Sequence, residues 1–118
     1  MNQAAHFSAQ QESVLNDIRK HYIFTADASV TGFLAEHRAI PQILLEAVPH
    51  LKMYFGGQAV FSLRAPIDEA GSRTLYATAI WPGELRSARE ALAKFDSNWW
   101  MARARQAAGY LTFKYELV

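Results

Sequence analysis

A chain of 118 residues holds enough sequence for one domain and little more, and 51% hydrophobic with 19% charged residues excludes wholesale disorder. The lack of cysteine excludes disulfides, thiolate zinc sites, iron–sulfur clusters and cysteine nucleophiles. A formal net charge of +1 supplies no global field towards nucleic acid or anionic lipid.

Met1 to Gln11 is polar with scattered alanines and reads as a flexible tail, ahead of a single domain over residues 12–118. It lacks the charged start and apolar run of a secretory signal. From Gln11 to Tyr22, Val14, Leu15, Ile18 and Tyr22 recur at helical spacing, which predicts an amphipathic helix. A second helical region begins near Asp27 or Ser29, either of which can cap a first turn. Val30, Phe33, Leu34, His37, Ile40, Leu44, Val48, Leu51 and Phe55 follow at steps of three or four and form one apolar stripe. Pro41 and Pro49 each remove an amide donor, so the stripe reads as successive short helices with a proline in each first turn. Gly56 and Gly57 stop the last of them. Ile40 to Phe55 is interrupted by Pro41, Glu46, Pro49, His50 and Lys52, which rules that stretch out as a bilayer span; a cytoplasmic protein with no membrane contact is expected.

Beyond Gly57 the period drops to two. Phe61 and Leu63 alternate with Ser62 and Arg64, Pro66 to Arg73 reads as a hairpin loop, and Thr74 to Trp81 forms a second strand. Neither face of that second strand is strongly polar, so a central position covered on both sides is expected. Leu85, Ala88, Leu92 and Phe95 make a helix face. Asp96 to Gly109 gives mixed signals: alanine and arginine favour helix, whereas Asp96-Ser97-Asn98 favours a break. Leu111, Phe113, Tyr115 and Leu117 then alternate with Thr112, Lys114 and Glu116 as a closing strand. The prediction is an α+β fold: amino-terminal helices followed by β-β-α-β, with a small, mainly antiparallel sheet and helices in a second layer. Pairing of the last strand with the first would give the order 3-1-2.

Tyr54-Phe55-Gly56, two strands, Phe95-Asp96 with Trp99-Trp100 and the closing strand together resemble a set of small uncharacterised bacterial proteins. The likeness spans Thr31 to Val118 and implies an α+β domain of bacterial origin, but no reaction. Acidic residues are common in that set where this chain carries Ser97 and Asn98, so a charge-dependent role for the segment does not transfer.

Candidate chemistry is sparse. His6, His21, His37 and His50 are scattered, without a metal motif. Glu46 and His50 lie four apart and can share a helix face, as a metal-binding or proton-shuttling pair or as a plain surface ion pair beside Pro49. Asp68 and Glu69 are adjacent in a loop and point apart. Gly56-Gly57 lacks the strand and lysine of a phosphate loop, and Ser62, Ser72, Ser87 and Ser97 sit in no nucleophile elbow. No catalytic residue, metal or cofactor is therefore expected. The segment with Trp99, Trp100, Arg103 and Arg105 combines aromatic and guanidinium groups, the chemistry of interface anchors and also of base stacking. Adjacent indoles are expected to diverge, one entering the core and the other exposed or facing a partner; the alternative is that both close the core and the arginines are simply solvated. These four are the predicted binding residues. The function expected is a small non-catalytic interaction module that binds another protein or forms a homodimer, with an antitoxin- or immunity-like role as an analogy. The alternatives are a nucleic-acid-binding accessory protein and a small enzyme with an unrecognised pocket.

Overall fold

The computed structural model describes residues 9–118. Of the expected tail, residues 1–8 lie outside the described residues, and Ala9 to Gln11 form the first turn of a helix, α1 (Ala9–His21). A two-residue strand, β1 (Ile23–Phe24), leads to α2 (Asp27–Glu36) and α3 (Ile40–Phe55). Then come β2 (Val60–Arg64), β3 (Leu75–Trp81) and α4 (Leu85–Phe95). A π-helical turn (Asp96–Trp100), a single α-turn (Met101–Arg103) and a 3₁₀ turn (Ala104–Ala107) connect α4 to β4 (Leu111–Leu117).

The sheet has the order β1-β2-β3-β4. β2 and β3 form the expected antiparallel hairpin, but β1 runs parallel to β2 and β4 runs parallel to β3. The sheet is thus mixed rather than mainly antiparallel, and the last strand pairs with β3 rather than β2. The reason is local. A helix following β3 returns the chain to the end where β3 began, which permits only parallel pairing, and β1 already holds the free edge of β2. Nothing in the two residues Ile23-Phe24 shows a period, so β1 is invisible to pattern reading.

Asp27 does not cap α2. Ala26, in the left-handed region at φ 57°, precedes the helix without a side-chain cap, and Asp27 is bound by the guanidinium of Arg19 from α1. That pairing holds the Asp27 carboxyl below the usual carboxylate range. The stripe from Ile40 to Phe55 is one helix of 16 residues, not a series of short ones. Pro41 occupies the first turn, whereas Pro49 lies in the interior on the solvent side, where its missing amide breaks no buried bond. Gly56, at φ 80°, ends the helix as expected.

The core lies on one side of the sheet. Phe61, Leu63, Leu75, Ala77, Ala79, Leu111 and Phe113 share that face and are buried with α3 residues Ile43, Leu44, Ala47, Leu51 and Phe55. Tyr22, at the end of α1, donates its hydroxyl to the Leu44 carbonyl at 2.8 Å, so a buried phenol is satisfied, and burial pushes its pKa up. Phe95 of α4 meets Phe113 edge to face, with ring centroids 4.8 Å apart. At the end of β3 the chain doubles back over the Trp81 indole: a Cβ on Gly83 would lie 2.6 Å from Trp81 Nε1, so a side chain there would force the indole to move. Phe61, Leu63, Phe95 and Phe113 therefore share a core as their periods predict, with Leu92 half-buried against it. Phe95 is fully enclosed, and Phe95→Ala is expected to cost about 3–5 kcal/mol of unfolding free energy in a denaturant titration.

Candidate interaction surface

Glu46, His50 and Tyr54 stand four residues apart on α3 and form one stripe. Each engages the segment after α4. Glu46 pairs with Arg103, the His50 ring stacks on Trp99 at 5.0 Å and 20°, and Tyr54 accepts a hydrogen bond from Asn98 Nδ2 at 2.9 Å. The Arg103 guanidinium also lies 5.5 Å from the centre of the Trp99 ring. The structure thus brings the Glu46–His50 pair and two of the four predicted binding residues into one seam. Its chemistry is clamping. The carboxylate is committed to a guanidinium and the imidazole face to an indole. Among the described residues no group of three or more side chains is placed to hold a metal ion.

Trp99 and Trp100 do not diverge. Their ring centroids are 6.1 Å apart and their planes 28° from parallel. Trp99 is buried against Phe95, and Trp100 is half-buried against Phe113 of β4 at 4.7 Å. The π-helical backbone explains this: each residue advances less around the axis than in an α-helix, so neighbours fall closer to one face. Rings of His50, Trp99, Trp100 and Phe113 then run in sequence from α3 to the sheet. Arg103 is half-exposed in the seam and Arg105 is exposed on the 3₁₀ turn, apart from the other three.

The surface left open lies elsewhere. The sheet face opposite the helices carries Ile23, Val60, Arg64, Tyr76, Ile80, Thr112, Lys114 and Glu116, none of them buried; only Ser62 and Thr78 at its centre are enclosed. β3 is central, as expected, but helices cover one of its faces only. Lys114, the register partner of Thr78, lies over the Tyr76 ring at 4.9 Å, a cation–π contact.

The two edges of the sheet differ. β1 is two residues long, whereas β4 extends over seven and pairs with no strand on its outer side among the described residues. Leu75 N donates to the Tyr110 carbonyl and Val118 N to the Trp81 carbonyl, so even-numbered residues of this stretch direct their backbone groups at β3. By alternation, Phe113, Tyr115 and Leu117 direct theirs outwards. The sequence pattern locates this strand but cannot show which of its sides stays unpaired, which is why the edge escaped sequence reasoning.

A groove of about 210 Å³ between α1 and the α2–α3 corner is lined by Val14, Leu15, Ile18, Leu34 and Pro41, with Arg38 its one charged lining residue. It presents no acid–base or nucleophilic pair. No helix among the described residues is long and apolar enough to cross a membrane. Comparison with protein-family models, curated proteins and solved structures finds no match to this chain.

Asp96 opens the π-helical turn half-buried, and burial pushes its carboxyl above the ordinary value of 3.8. The folded chain therefore holds this proton to higher pH than the unfolded chain. Stability falls as pH rises through that window, and the cost persists at neutral pH. Asp96→Asn is expected to be more stable than the parent at neutral pH. The difference should vanish in denaturant titrations run below the unfolded carboxylate's pKa.

Proposed function

We propose that this chain is a non-catalytic interaction domain whose docking element is the outer edge of β4. The observation that carries this reading is the run of outward backbone groups at Phe113, Tyr115 and Leu117. A long strand edge with free donors and acceptors is a template for another strand, and natural domains otherwise shorten or cover such edges. β1 is short in just this way and β4 is not. The edge is also backed by packing: Trp100 and Phe95 both press on Phe113, which stiffens the strand before any partner arrives. Side chains flanking it are amphipathic, with Leu117 42% and Tyr110 44% exposed and Tyr115 half-buried. In this reading Trp100 acts as the support of the docking edge, while Trp99 and Arg103 clamp the supporting segment to α3.

Proline separates docking from folding. The amide of Leu117 points away from β3, so Leu117→Pro removes an outward donor and no ladder bond, and proline is tolerated at such edge positions. The variant is expected to keep its unfolding free energy within about 1 kcal/mol of the parent. Its association, followed by sedimentation and by capture with both forms as bait, should weaken at least roughly tenfold. Identical association by the two forms would refute the docking edge.

A further inference from the structure

The side chains of β4 select one occupant for its edge. We infer that β4 pairs antiparallel with β4 of a second copy, about a two-fold axis at Tyr115, to give a continuous sheet across the dimer. This rests on the reading of β4 as a docking edge and adds the identity and register of the partner.

A two-fold axis perpendicular to the sheet keeps the helix-covered faces of both copies on the same side. Outward backbone groups must then meet outward ones, and residues of like parity oppose each other. With Tyr115 opposite its own copy, Phe113 opposes Leu117, and all three residues exchange amide-to-carbonyl bonds. Lys114 and Glu116 fall on the open face as closely spaced, non-hydrogen-bonded pairs, each lysine opposite the glutamate of the second copy. Opposite charges in such pairs stabilise a ladder and like charges weaken it.

Neighbouring registers lose this match. An axis at Lys114 sets lysine against lysine, and an axis at Glu116 sets glutamate against glutamate. An axis at Phe113 places Lys114 opposite Thr112 and Glu116 opposite Tyr110, with no charge pairing. Both charges are available: among the described residues Lys114 is engaged only with the Tyr76 ring, and Glu116 is exposed with no ion pair. On the helix side the same register brings Leu117, 42% exposed, against Phe113 of the second copy, a core residue at the margin of the sheet. That contact covers apolar surface which the isolated domain leaves wet.

Charge reversal tests both partner and register. Sedimentation equilibrium over the micromolar to millimolar range should show a reversible dimer of the parent chain. Lys114→Glu and Glu116→Lys should each weaken it roughly tenfold or more, because each places like charges opposite one another twice in a symmetric dimer. The double variant K114E/E116K should regain most of the parent affinity, and equimolar mixing of the two single variants should regain it as well, because the mixed dimer sets the two acidic side chains of one copy opposite the two basic ones of the other. Circular dichroism of each variant confirms that the fold persists. A parent chain that stays monomeric throughout, or a double variant no tighter than the singles, overturns the self-pairing. The docking edge itself would survive a monomeric result if a heterologous partner bound the parent and lost its affinity for Leu117→Pro.

Discussion

Phe113 occupies the point where the separate parts of this domain meet. Its ring contacts Phe95 at the end of α4 and Trp100 in the π-helical turn, and its backbone belongs to the edge strand. Through Trp100 and Trp99 it is linked to His50 on α3. Because this aromatic row lies on the helix side, the residues that alternate with Phe113 face solvent, and the sheet is covered on one side only. The open face is therefore a consequence of where the aromatic mass went, while the open edge follows from the outermost place of β4 in the strand order. Were the two tryptophans divergent, one would leave the row and the support under β4 would be lost.

The seam along α3 explains how an irregular segment is held in place. Asp96 to Ala107 passes through π, α and 3₁₀ geometry within a dozen or so residues, and short runs of that kind have little intrinsic stability. Three rungs on one helix stripe fix it: Glu46 to Arg103, His50 to Trp99, and Tyr54 to Asn98. The ion pair is partly exposed and contributes little alone; its role here is orientation, since it sets Arg103 beside the Trp99 ring. A continuous α3 is the precondition. A break at Pro49 would have turned Glu46 and His50 to different faces.

Elements with a clean period are legible in the sequence. The hairpin, α4 and the closing strand lie where alternation or helical spacing puts them, and Phe61, Leu63, Phe95 and Phe113 join one core as their faces imply. Three features were not legible, each because it depends on long-range context. Strand order turned on β1, whose two residues carry no pattern. Continuity of α3 turned on the exposure of Pro49, which permits a lost amide bond that a buried position would forbid. The placement of the indoles turned on a local change of helix type that Asp96-Ser97-Asn98 signals only as a weakness in the α-pattern. Of the four expected binding residues, Trp99, Trp100 and Arg103 contact other parts of the chain and Arg105 is exposed; Lys114 and Glu116, which read in sequence as the plain polar side of a strand, lie on the open face of the sheet.

In the proposed dimer β4 has one side satisfied by β3 and one side that only a second copy completes. Amide hydrogen exchange resolved by residue addresses both sides at once. Thr112, Lys114 and Glu116 should be protected at every concentration because their amides bond to β3. Phe113, Tyr115 and Leu117 should exchange quickly in dilute solution and become protected as the concentration rises through the range of dimer formation. Outward amides that remain unprotected at high concentration, or that are already protected when the chain is dilute, would contradict it.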